Sequence, residues 1–256
     1  MKPRGQYVQV NDIKMYYETL GEGPPLLMLH GGTVSSECWS GQLAPFARHF
    51  RVILPDSRGH GRSTDSDQRF SYAGMASDMI ELLKHLQIQR TDLCGWSDGG
   101  IIGLHLAIHH PGVIKKQILV GANFDVNGLI PAFRGWLSKP TASEESGCWS
   151  PEIVESYQRL SPQGPESWSR FFKKVITLWR TSPHYSEREL SSITVPTLVV
   201  AGDQEQFVEI NHTVRLFKLL KRGELCIIPN ADHRVFARRP DLFNEVALEF
   251  LLREAR

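Results

Sequence analysis

The chain has 256 residues, with 29 Lys and Arg against 28 Asp and Glu, so no charge excess points to nucleic acid or to an anionic membrane surface. The length can bury a sizeable core in one large α/β domain, with or without an insertion. The four cysteines (38, 94, 148 and 226) form no Cys-x-x-Cys pair, and the longest early apolar run, Leu26–Leu29, is too short for a leader or a membrane span. This composition favours small-molecule chemistry in a cytoplasmic setting, with neither cofactor nor metal.

In chain order, Tyr7–Val10 and Ile13–Glu18 alternate apolar with polar residues around Asn11-Asp12, the pattern of an antiparallel hairpin. Leu26–Leu29 is continuously apolar, as expected of a strand covered on both faces, and it delivers His30-Gly31-Gly32-Thr33. A helix is expected over Cys38–Phe50, a buried strand over Val52–Pro55, and a helix over Tyr72–Leu86, where Met75, Met79, Leu82, Leu83 and Leu86 recur at helical spacing. A strand ending near Cys94 leads through Gly95-Trp96-Ser97-Asp98-Gly99-Gly100 into a helix-compatible run, Ile101–His109, and Lys116–Val120 is another strand.

From Asn123 to Glu189 the buried strands disappear. Prolines recur, and Trp136, Trp149, Trp168 and Trp179 collect there with Phe133, Phe171 and Phe172. This is read as a helical cap inserted in a core made of residues 1–122 and 190–256. Strands over Thr194–Ala201 and Leu225–Ile228, and helices over Val208–Leu220 and Leu242–Arg253, complete the core. The alternation predicts an α/β fold: a mostly parallel sheet of about eight strands with helices on both faces.

Gly95-x-Ser97-x-Gly99 between a strand and a helix is the spacing of a nucleophile elbow. A serine hydroxyl needs a base, and the base needs an orienting acid. On a parallel sheet both should follow the carboxyl ends of strands. His233 is the expected base. Asp203 is favoured as the acid over Glu205, Glu209 and Asp232, being one step past the strand-end Gly202. Backbone N–H groups of Gly32 and Asp98 are the expected oxyanion donors, with Thr33 as the fallback for Gly32. His30 is expected to brace its loop, and the polar run Asp56–Ser63 to be structural.

Together His30-Gly31-Gly32, Asp56-x-Arg58-Gly59-His60-Gly61-x-Ser63, Gly95-x-Ser97-x-Gly99, Ala201-Gly202-Asp203 and Ala231-Asp232-His233 resemble, in order, the landmarks of the α/β-hydrolase-fold serine hydrolases. The stretch Gly95–Gly100 is similar to the valacyclovir hydrolase (biphenyl hydrolase-like) esterases. The resemblance implies a small-molecule carboxylic ester as substrate, an acyl-enzyme on Ser97, and an Asp98 that receives a substrate α-ammonium group. Trp96, Thr33, Trp136 and Trp168 are the further residues expected to bind substrate. Lactonases, carbon–carbon bond hydrolases, perhydrolases and ligand sensors share the fold, so they stand as alternatives.

Overall fold

The computed structural model describes residues 4–143 and 149–254; Cys148 lies outside the described residues. Among them the chain forms β1 (Arg4–Val10), β2 (Ile13–Leu20), β3 (Pro25–Leu29), α1 (Ser40–Phe46), β4 (Arg51–Pro55), α2 (Tyr72–His85), β5 (Thr91–Trp96), α3 (Asp98–His109) and β6 (Ile114–Val120). There follow α4 (Pro131–Ser138), α5 (Pro151–Leu160), α6 (Trp168–Thr181), α7 (Glu187–Ser192), β7 (Thr197–Gly202), α8 (Ile210–Leu219), β8 (Gly223–Ile228), α9 (Val235–Arg238) and α10 (Pro240–Leu252).

The eight strands form one sheet in the order β1-β2-β4-β3-β5-β6-β7-β8. β1 and β2 pair antiparallel, β2 joins β4 antiparallel, and every later pairing is parallel. The apolar runs explain this arrangement, because successive side chains on a strand face opposite sides and both sides are covered. Leu27, Leu29, Leu93, Leu119 and Val199 belong to one buried cluster, while Leu26, Met28, Cys94, Val120 and Val200 belong to another. α2, α3 and α8 contribute to the first cluster, α1 and α10 to the second.

Of the boundaries that differ from the sequence pattern, two have a direct physical reason. β7 begins at Thr197 rather than Thr194, because Pro196 has no N–H to give the ladder. α3 begins at Asp98, three residues before the apolar run, with Gly99 and Gly100 inside its first turn. A Cβ on Gly99 would stand 2.3 Å from the Leu29 carbonyl oxygen, so helix and strand pack too closely there for a side chain. Between β6 and β7 the described residues hold helices α4–α7 and the isolated bridge Asp125–His184, and a second bridge ties Leu129 of this segment to Val208 beyond β7.

Register places the site. Leu29 pairs with Gly95, Gly95 with Leu119, Trp96 with Val120, Val120 with Val200, and Gly202 with Ile228. The carboxyl ends of β3, β5, β6, β7 and β8 therefore reach one edge of the sheet, and the loops bearing Gly32, Ser97, Gly121, Glu205 and His233 leave from it.

Candidate active site

Ser97 sits between β5 and α3 with φ 53 and ψ −118, a region a non-glycine residue occupies at a cost of about 1–3 kcal/mol. Its N–H donates to the Val120 carbonyl at 2.8 Å, and its own carbonyl accepts from Gly100 and Ile101 at 2.9 and 3.0 Å, which together hold the strained turn. A Cβ on Gly95 would stand 2.3 Å from the Gly99 carbonyl oxygen, so only glycine fits two residues before the serine.

His233 is buried, and its Nδ1–H donates to Glu205, whose Oε1 and Oε2 both lie 2.8 Å away. A carboxylate at Nδ1 fixes the neutral tautomer that carries a lone pair on Nε2, the form a general base requires. Trp96 Nε1–H donates to the His233 carbonyl at 3.0 Å, and the Phe207 ring lies 4.8 Å from the imidazole, so backbone and ring are both held.

The carboxylate that meets the imidazole is therefore Glu205 and not the expected Asp203. Asp203 is exposed and turns back to its own loop, accepting the Ala231 N–H at 3.2 Å. Hydrogen bonds from the Asn230 and Ala231 backbone hold its carboxyl below the usual carboxylate range. Two residues later the chain turns inward. The Glu205 side chain is fully buried, with Oε1 accepting N–H groups of Gln206 and Phe207 at 2.9 Å each. Nothing local in the sequence separates these two carboxylates, which lie one and three positions past the strand-end Gly202.

Gly32 lies against Asp98: a Cβ there would stand 2.6 Å from Asp98 Oδ2 and 2.5 Å from the Trp179 ring. A Cβ on Gly31 would reach the Ser97 Cβ at 3.2 Å, so the loop after β3 crosses directly over the elbow. His30 braces that loop, with Nδ1–H donating to the Gly31 carbonyl at 2.7 Å and Nε2 accepting the Ser57 N–H at 2.9 Å.

Asp98 is buried; its Oδ1 accepts from Tyr72 at 2.9 Å, and both oxygens accept from Trp179 Nε1–H at 3.0 Å. Burial pushes its carboxyl above the usual range, opposed by those two hydrogen bonds and by the nearby His233. Tyr72, on α2, carries no signal for this role in the sequence beyond its place at a helix start.

Ser97, Asp98, His233, Gly32, Thr33 and Trp96 line one cavity of about 490 Å³. From the segment between β6 and β7 its walls include Phe133, Trp149 and Trp179. Trp136 and Trp168 are not among its lining, which corrects their expected role. Trp136 stacks behind it against Phe133 and Trp149, and Trp168 packs against Tyr157, Phe171 and Phe172. Trp168 and Trp179 share a face of α6, but at about 1.5 Å per residue they stand roughly 16 Å apart along it, so only the carboxyl end reaches the elbow.

The polar run after β4 is a brace. Asp56 accepts from the Ser36 and Arg62 backbones at 2.8 Å each and pairs with the Arg62 guanidinium, whereas Arg58 forks onto Asp78 at 2.7 Å and reaches Asp12. Among the described residues no cluster of three or more His, Cys, Asp or Glu could hold a metal ion, and no helix is long and apolar enough to cross a membrane.

A strained elbow serine, a carboxylate-oriented histidine and a mostly parallel eight-stranded sheet define a class, and residues 26–246 match the alpha/beta hydrolase family; the chain belongs to it. It is similar to the serine hydrolase BPHL of Homo sapiens, 30% identical over 95% of this chain and 85% of that protein. Among solved structures, Est816, described as an N-acyl homoserine lactone degrading enzyme, is 27% identical with a TM-score of 0.76, covering 96% of this chain and 100% of that one. A meta-cleavage product hydrolase from Pseudomonas fluorescens IP01 shares the fold, with a TM-score of 0.82 at 21% identity over 97% of each chain.

Proposed function

We propose that this protein is a serine hydrolase that cleaves small-molecule carboxylic esters. The observation that carries the reading is His233 Nδ1 held at 2.8 Å by a buried carboxylate, beside an elbow serine on the same cavity. In this reading His233 Nε2 takes the Ser97 hydroxyl proton as Oγ attacks the ester carbonyl, and Glu205 stabilises the imidazolium. The N–H groups of Gly32 and Asp98 receive the oxyanion. His233 then protonates the leaving alcohol, and water releases the acyl group by the same route. The similar BPHL is named a serine hydrolase, which supports this chemistry.

The test is a burst experiment with p-nitrophenyl acetate: a burst followed by steady turnover is expected, and neither should survive Ser97→Ala. A single slow acylation without turnover would favour a ligand sensor instead.

Within the esters, α-amino acid esters are the proposed preference. Asp98 is buried, its partners Tyr72 and Trp179 are neutral, and no side chain at Gly32 covers Oδ2. A carboxylate has about four acceptor sites, so an ammonium group can join the two donors already present. A charged hydrogen bond of about 1.5–3 kcal/mol corresponds to roughly tenfold to hundredfold in kcat/KM. Asp98→Asn keeps the backbone N–H and deletes the charge. It should erase the preference over the same esters lacking the amine, and equal losses on both substrates would return the substrate to a general carboxylic ester.

A further inference from the structure

We infer that two tryptophans of the segment between β6 and β7 position the oxyanion donors, Trp149 through Thr33 and Trp179 through Asp98, an inference that rests on the serine-hydrolase reading above. Thr33 has φ 64, the left-handed region that a β-branched residue rarely enters. Such a conformation persists only where its surroundings hold it. Here the Thr33 hydroxyl donates to the Gly32 carbonyl at 2.7 Å, and Trp149 Nε1–H donates to that hydroxyl at 3.2 Å. The hydroxyl has one proton and has given it to Gly32, so the indole meets a lone pair and the relay runs in one direction, from Trp149 through Thr33 to Gly32.

The N–H and C=O of one peptide are coplanar and opposed, so pinning a carbonyl aims the N–H on its other side. His30 pins the Gly31 carbonyl and thereby aims the Gly32 N–H. Thr33, held by Trp149, pins the next peptide and keeps the loop from relaxing out of its strained turn. The other donor is the N–H of Asp98, at the start of α3. A free carboxylate at a helix start folds back onto the N–H groups of the first turn, the donors that an oxyanion needs. Trp179 holds both Asp98 oxygens at 3.0 Å, and its ring lies against Gly32, so a single side chain touches both donor loops. The two rings also pack on each other, with centroids 5.8 Å apart. The same segment that walls the cavity therefore aligns the donors beneath it.

The variants are Trp149→Phe and Trp179→Phe, which keep an aromatic ring and remove the N–H. On p-nitrophenyl acetate each should lose roughly tenfold in kcat with KM within about twofold, less than the 10²–10³ of an outright lost donor. Thr33→Val removes the acceptor of the first relay and should lose the same factor, and Trp149→Phe should then cost nothing more in the Thr33→Val background. A packing role alone would lower Tm and raise KM, with Trp149→Phe costing the same in both backgrounds, and would overturn the inference. Full kcat in Thr33→Val overturns the Trp149 arm however Trp149→Phe folds, and full kcat in Trp179→Phe overturns the Trp179 arm. Wild-type protein that neither bursts nor turns over removes the hydrolase reading itself, whereas normal wild-type turnover with unimpaired tryptophan variants removes only the positioning.

Discussion

Glu205→Gln isolates the contact on which the base depends. Both carboxylate oxygens lie 2.8 Å from His233 Nδ1, and Oε1 also accepts the Gln206 and Phe207 N–H groups at 2.9 Å. Those backbone donors select the amide oxygen for the Oε1 position and leave the amide NH₂ in the Oε2 position, facing Nδ1. Two donors cannot share that contact, so the ring moves its proton to Nε2 and has no lone pair for Ser97. The charge opposite the imidazolium is lost as well: a pair at 2.8 Å with an effective dielectric of about 20 interacts by about 6 kcal/mol. At 1.36 kcal/mol per tenfold that is a fall in kcat on the order of 10⁴, the size seen when a triad acid becomes an amide. Asp203→Asn, exposed and bonded to backbone, should leave kcat within about twofold. Steady-state hydrolysis of a p-nitrophenyl ester measures both. A Glu205→Gln enzyme above a tenth of wild-type kcat, or an Asp203→Asn enzyme falling as far, would refute the assignment.

Gly121 follows β6 with φ 57, and a Cβ there would stand 2.8 Å from His233 Cε1, so Gly121→Ala should displace the imidazole and cost roughly tenfold to a hundredfold in kcat; an unchanged kcat would contradict this. Trp168→Ala should lower stability by about 3–5 kcal/mol in urea unfolding without changing acyl-chain preference, while Trp179→Ala should change that preference between acetate and octanoate esters. The opposite pattern would misplace the cavity wall. Burial, with His30 beside it, pushes the His60 pKa down to about 3. Between its ordinary value of about 6.5 and that point the unfolded chain holds a proton the folded chain does not, so its contribution is full above about 6.5 and is lost as pH falls toward 3. His60→Gln should flatten the acid side of the stability–pH curve, and a slope identical to wild type would exclude the effect.

Local patterning alone determined the continuously apolar strands, the helical spacing of α2, and the glycines around Ser97, because each depends on residues close in the chain and on a period of two or of about 3.6. The alternation of strand and helix was enough to specify a mostly parallel sheet, hence the edge at which Ser97 and His233 line one cavity. The choice between Asp203 and Glu205 was not legible there. It turns on how the chain bends in the three residues after β7, and on an imidazole that arrives 28 residues later. Likewise four tryptophans were visible between β6 and β7, yet which of them reach the cavity is decided by where α6 ends over the elbow. Tyr72, Trp149 and Trp179 come from distant parts of the sequence, and only tertiary packing could bring their donors to Thr33 and Asp98.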